Sequence, residues 1–182
     1  MSATTLFQTH LVLGYAAWLL CFGTYIWPRL KAMEHFEAQR AIATLHGFRF
    51  FGLVFILPGV VGPNLPAGFA SFAAYWDFAT GVLALLALLS ARARPLFWVF
   101  VVAFNAVGFV DLVMDYAHAI QAGVPEVAGQ LGAAYAIPII YVPLLMITHV
   151  AAFYLLLRAM RERLAGRNAI PGTAAGRHPA AH

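Results

Sequence analysis

Charged side chains are scarce in this chain. They make up 10% of its 182 residues, where hydrophobic residues make up 63%, and a soluble domain carries about 25% charged residues. Such a chain cannot cover itself with a surface that water accepts, which excludes a free-standing globular enzyme or binding module. Cysteine is nearly absent. Cys21 stands alone in an apolar run, so neither a disulfide nor a CxxC metal site can form within one chain, and the residue reads as a small buried hydrophobe. HExxH and internal repeats are missing as well, and no histidine pair at i, i+4 falls within an apolar run; the first or the last would have announced a metalloenzyme. The net charge of +4 forms no single patch, so nucleic acid is not an expected partner. Gly47, Gly52, Gly59, Gly62 and Gly108 fall inside apolar runs, where glycine lets helices approach closely rather than cradling phosphate.

What the chain does have is five apolar runs, at 6–27, 41–62, 69–91, 96–118 and 137–157. Each approaches or exceeds the roughly 20 residues that cross a hydrocarbon core about 30 Å thick. The first is too long for a signal-peptide core, and it has no basic residues before it and no small-residue cleavage site, so it reads as a helix. The expected fold is an all-α integral membrane bundle of five transmembrane helices. One domain covers residues 1–164, and a tail rich in alanine, glycine and proline, 165–182, is expected to be a disordered cytoplasmic segment. Ten of the eleven lysines and arginines lie at 29–40, at 92–94 or after residue 157, while 63–68 and 119–136 contain none. The positive-inside rule then places the N-terminus outside and the C-terminus in the cytoplasm of a bacterial inner membrane. Trp27 and Trp98 at the inner ends agree, as do Tyr75, Trp76, Tyr116 and Tyr135 at the outer ends. Pro58, Pro138 and Pro143 are expected to kink helices two and five.

The eleventh basic residue, Arg49, lies inside a run, and intramembrane ionisable groups are costly and face the protein interior. At about 1.5 Å per residue, His46 lies about 9 Å, His149 about 12 Å, and Arg49 and Asn105 about 13 Å from the cytoplasmic boundary. Asp77 comes out near 18 Å, about at the midplane. Four helices thus supply polar groups to one slab, and His46 and Arg49, three apart, share a helix face. A second set lies further out. Asp111, Asp115 and His118 form a stripe at i, i+4, i+7, with Asp111 about 22 Å deep and the other two within reach of interfacial water. His10 on the first helix sits near the same side.

Four functions suit this arrangement. In the first, a transport-like protein binds a small anionic ligand at Arg49 or relays protons through Asp77 and the histidines. In the second, a membrane redox protein holds a b-type haem between His46 and His149, with His10 and His118 as a second axial pair. In the third, Arg49 pairs with Asp77 only to pin helices together in a structural or assembly subunit, within a homo-oligomer or a larger membrane complex. In the fourth, an intramembrane enzyme uses Asp77 and Asp111 as acid and base on a lipid or isoprenoid. The candidate site residues are His46, Arg49, Asp77, Asn105, Asp111 and His149.

The strings LHGFRFFGLVFILPGVV, LPAGFASFAAYWDFATGVLALLAL, FNAVGFVDL and LGAAYAIPIIYVPLLMITH resemble a group of small bacterial polytopic membrane proteins without an established activity. That resemblance implies four intramembrane motifs: His-x-x-Arg at His46 and Arg49, Tyr-x-Asp at Tyr75 and Asp77, Phe-Asn at Phe104 and Asn105, and Thr-His at Thr148 and His149. The first run, THLVLGYAAWLLCFGTYIWPRL, is similar to the first helix of HemJ- and CopD-like membrane proteins. There the resemblance implies a haem or copper role for His10, beside Trp18 and Gly23.

Overall fold

The computed structural model describes residues 1–168. Its described residues contain no strand, and six α-helices carry the fold: α1 (Ala3–Cys21), α2 (Trp27–Ala32), α3 (His35–His46), α4 (Ala67–Leu89), α5 (Arg94–Gln121) and α6 (Val142–Asn168). Four stretches are long and apolar enough to cross a membrane: Ala3–Ala32, Ala67–Leu89, Arg94–Gln121 and Ile137–Gly166. The all-helical class and the membrane-crossing composition are as expected; the count of such helices is four where five were expected.

The remaining run, expected as one helix over 41–62, lies earlier and is divided. α3 ends at His46 and passes directly into a 3-10 helix, Gly47–Ile56. Proline disfavours helical backbone in the residue before it, and Leu57, just ahead of Pro58, is extended with ψ 122°. Pro58 therefore ends this helix instead of kinking it. Leu57 to Val60 closes a turn in which the Val60 amide donates to the Leu57 carbonyl at 3.2 Å, with Gly59 at φ 82°, as a Pro-Gly pair in a type II turn requires.

In a 3-10 helix, residues three apart eclipse one another. His46, Arg49, Gly52 and Phe55 therefore stand in one row, and all four are buried, while Phe48, Phe50 and Phe51 face outward, about half exposed. The row packs against the small-residue face of α4, where Ala70, Ala73, Ala74, Asp77, Thr80, Gly81 and Ala84 are buried at helical spacing. At Gly81 a Cβ would come within 3.0 Å of the Phe50 amide nitrogen, so the two backbones meet without side chains between them.

Two π turns, Phe22–Ile26 and Ile137–Tyr141, lie just ahead of Pro28 and Pro143, where the missing proline N–H releases carbonyls from the helical ladder. Pro143 thus disturbs the stretch that begins at Ile137, whereas Pro138, expected to kink it too, stands in its first turn, where proline is tolerated. α1 covers the second disturbance: Trp18 Nε1 donates to the Ile140 carbonyl at 2.7 Å, and Gly14 lies so close to the Ile139 carbonyl that a Cβ there would collide.

At one end of the bundle, 3-10 turns over Val124–Tyr135, interrupted at Val127 and Gly132, fold onto the 57–66 turn. Gly62 N donates to the Gln130 carbonyl at 2.7 Å and Asn64 N to Gln130 Oε1 at 3.2 Å. At the other end Glu162 accepts from His35 at 2.8 Å and Arg158 at 2.7 Å, joining α3 to α6. Because α6 continues to Asn168, the first residues of the expected tail are helical; the rest of it lies outside the described residues. The packed interior falls into two apolar clusters, one around Phe55, Leu112, Leu131 and Leu145, the other around Phe36, Phe97, Val101 and Phe104. The polar residues lie in a layer between them.

Candidate functional site

The layer is built around Arg49, whose side chain is fully buried. A guanidinium carries five N–H donors in a fixed fork, and here each of its three nitrogens has a partner. Nε donates to Asp77 Oδ1 at 2.6 Å and Nη2 meets the same oxygen at 2.5 Å. Nη2 also donates to Asp111 Oδ2. Nη1 donates to the Gly108 carbonyl at 3.2 Å and to His149 Nε2 at 3.3 Å. An anion can reach this arginine only by displacing one of these partners.

Three helices supply these partners at positions their periodicity turns inward. On α5, Val101, Phe104, Asn105, Gly108, Asp111 and Leu112 form one buried stripe at the 3-to-4 spacing of a helix face. Gly108 is where the guanidinium crosses that helix: a Cβ there would stand 2.6 Å from Nη1 and 2.7 Å from His149 Nε2. On the arginine's other side, Gly52 makes room for the Asp77 carboxyl, whose Cγ would lie 2.8 Å from a Cβ at that position.

The hydrogen bonds fix both imidazoles. Asn105 Nδ2 donates to the Val101 carbonyl at 2.8 Å, so its Oδ1 accepts from His149 Nδ1 at 3.0 Å. His149 then has Nε2 left as the acceptor for Arg49. The Thr148 hydroxyl donates back to its own helix at Leu144 and Leu145, both at 2.9 Å, and accepts from His46 Nε2 at 3.0 Å. Among the described residues His46 Nδ1 is left without a partner, as are Asp111 Oδ1 and Thr80 Oγ1. The two imidazole rings pack on each other, centroids 4.1 Å apart.

All six candidate residues, His46, Arg49, Asp77, Asn105, Asp111 and His149, are buried, and all lie in this layer. Thr148 and the Gly108 carbonyl join them as partners that residue type alone does not single out. The outer set divides. Asp111 completes the clamp on Arg49, and Asp115, partly exposed but with Oδ1 buried and without a hydrogen-bond partner among the described residues, lines a cavity. His118 packs edge-on to Phe72, centroids 4.3 Å apart, and His10 bonds the Tyr135 hydroxyl at 2.9 Å.

These positions do not fit a bis-histidine haem. A porphyrin needs a slot between its two axial rings, and the His46 and His149 rings are in direct contact at 43° to each other, with Nε2 of each already hydrogen-bonded. His10 and His118 are engaged with different neighbours. Among the described residues no group of three or more histidines, cysteines or acids is placed to hold a metal ion.

Compared with known proteins, residues 6–157 match a family described as Domain of unknown function (DUF8737). No curated protein and no solved structure matches the chain.

Proposed function

The chain belongs to the DUF8737 family of domains of unknown function, and we propose that it is an integral membrane protein whose mid-membrane site binds a small ligand with exchange of protons, in the manner of a transporter. The charge count of the polar layer supports this reading. The chain has three aspartates, Asp77, Asp111 and Asp115; the first two meet Arg49 and Asp115 follows one helical turn after Asp111, while its four glutamates lie nearer the ends of the helices or in a loop, at 34, 37, 126 and 162. Arg49 is protonated under ordinary conditions, so three ionised carboxylates would leave a net charge of about −2 in an apolar layer, which is costly. Uptake of positive charge relieves it, as a proton or as a cation. This favours a cation or proton over the anion first expected at Arg49.

Infrared difference spectra of the purified protein between acid and neutral pH test the reading. A carboxylic-acid C=O band that titrates should be present, and Asp111→Asn or Asp115→Asn should remove or shift it. A folded protein with no titrating band would reduce the cluster to a structural pin, the role of an assembly subunit.

The orientation belongs to the same proposal. Twelve α-helical residues at about 1.5 Å and ten 3-10 residues at about 2.0 Å give His35–Ile56 a length of roughly 38 Å, enough for a fifth crossing. With five crossings, a bacterial inner membrane and the basic segments in the cytoplasm, a cytoplasm-only reporter fused after His182 should be active and one inserted at Gly123 silent. The opposite pattern would invert the topology.

A further inference from the structure

Resting on that reading, we propose that the cavity beside Asp77 and Asp115 is a binding site for a small organic monocation, a protonated amine carried on an apolar body about the size of one ring. The cavity has a volume of about 170 Å³ and lies among α1, α4, α5, the 3-10 row and the Val124–Tyr135 turns. Phe7, Phe55, Phe69 and Leu112 supply apolar and aromatic wall. Among the described residues its polar lining is limited to Gln8, Asp77, Asp115 and Tyr116, with no lysine, arginine or histidine. The Tyr116 hydroxyl is already bonded to Tyr15 at 2.8 Å, so the carboxylates dominate.

Both carboxylates have acceptor capacity to offer. Asp77 is only 4% exposed, and both contacts from Arg49 fall on its Oδ1, leaving Oδ2 without a donor among the described residues. Asp115 takes no hydrogen bond there either, and its Oδ1 is buried. Two acceptors at an apolar wall, with no basic side chain to balance Asp115, select for a donor that carries positive charge. The aromatic faces favour the same sign of charge. Size sets the body: a protein cavity of about 150 Å³ takes benzene, so a single ring with a short ammonium arm fills this one.

Calorimetric titration of the full-length protein in detergent, with benzylammonium, benzyl alcohol and benzoate as probes, tests this. Benzylammonium should bind roughly tenfold or more tightly than the neutral alcohol, and benzoate more weakly still. Asp115→Asn should weaken benzylammonium by a similar factor. Ala119→Leu, which narrows the cavity and leaves both carboxylates in place, should weaken the ammonium and the alcohol together, and it serves if the aspartate variant fails to fold. Equal binding of ammonium and alcohol would show an apolar hole without charge recognition and overturn the proposal. So would a folded protein indifferent to benzylammonium; if its carboxyl band still titrates, the proton-exchanging site survives without this ligand. Binding of the cation with no titrating band would do the reverse.

Discussion

Arg49→Ala is expected to lower stability by about 3–5 kcal/mol, because it leaves two buried carboxylates facing each other without their shared cation. Asp77→Ala should cost nearly as much, since Arg49 loses the acceptor of its Nε and one of its two carboxylates. The double variant removes both charges and should recover part of the sum. Unfolding in mixed detergent micelles measures all three, and the interaction energy is the difference between the double loss and the two single losses. Additive losses would show that the contact seen in the structure contributes nothing. Arg49→Lys should rescue little, because an ammonium has three donors on a flexible stem where the site engages all three nitrogens of a planar fork.

Gly108→Ala is the second large effect, and its sign separates two physical arguments. Inside an exposed helix, alanine is better than glycine by about 1 kcal/mol. Here the added carbon would stand 2.6 Å from Arg49 Nη1, 2.6 Å from Thr80 Cγ2 and 2.7 Å from His149 Nε2. A flexible side chain would swing away, but this arginine is held at all three of its nitrogens. Overpacking should therefore win, with a net loss of about 2–3 kcal/mol. Gly23 is the internal control: a Cβ there meets nothing within 4 Å, and Gly23→Ala should be neutral or gain a little. Thermal unfolding of both variants decides it. A Gly108→Ala protein as stable as the parent would mean the clamp has slack.

Composition and the positions of the basic residues made the membrane-crossing, all-helical character legible, because both act through the cost of charge in hydrocarbon and need no knowledge of packing. The Arg49–Asp77 contact was legible for a related reason: an intramembrane arginine needs an anion, and Asp77 is the acid nearest in depth. Depth carries no azimuth, however. His46 and His149 match in depth, which suggested axial ligands across a macrocycle, yet they are turned face to face. Asp111 was assigned to an outer set by its distance along a straight helix, whereas a long guanidinium reaches over a glycine to it. The 3-10 row was hidden because GFRFFGLVFI is apolar nearly all round, so periods of 3.0 and 3.6 differ only at His46, Arg49 and Gly52. Pro58 carried the boundary signal, since the residue before proline resists helical backbone.

The 3-10 row also makes the chemistry of this segment depend on chain length more than on composition. Each residue added to or removed from it turns everything beyond by a third of a revolution. A single-residue insertion between His46 and Arg49 would carry the arginine from the clamp to the outward face that Phe48, Phe50 and Phe51 now occupy. The outward phenylalanines can exchange for other large apolar residues without moving the buried row. A one-residue insertion or deletion here loses the site while keeping an equally hydrophobic segment, so hydropathy alone is blind to the lesion.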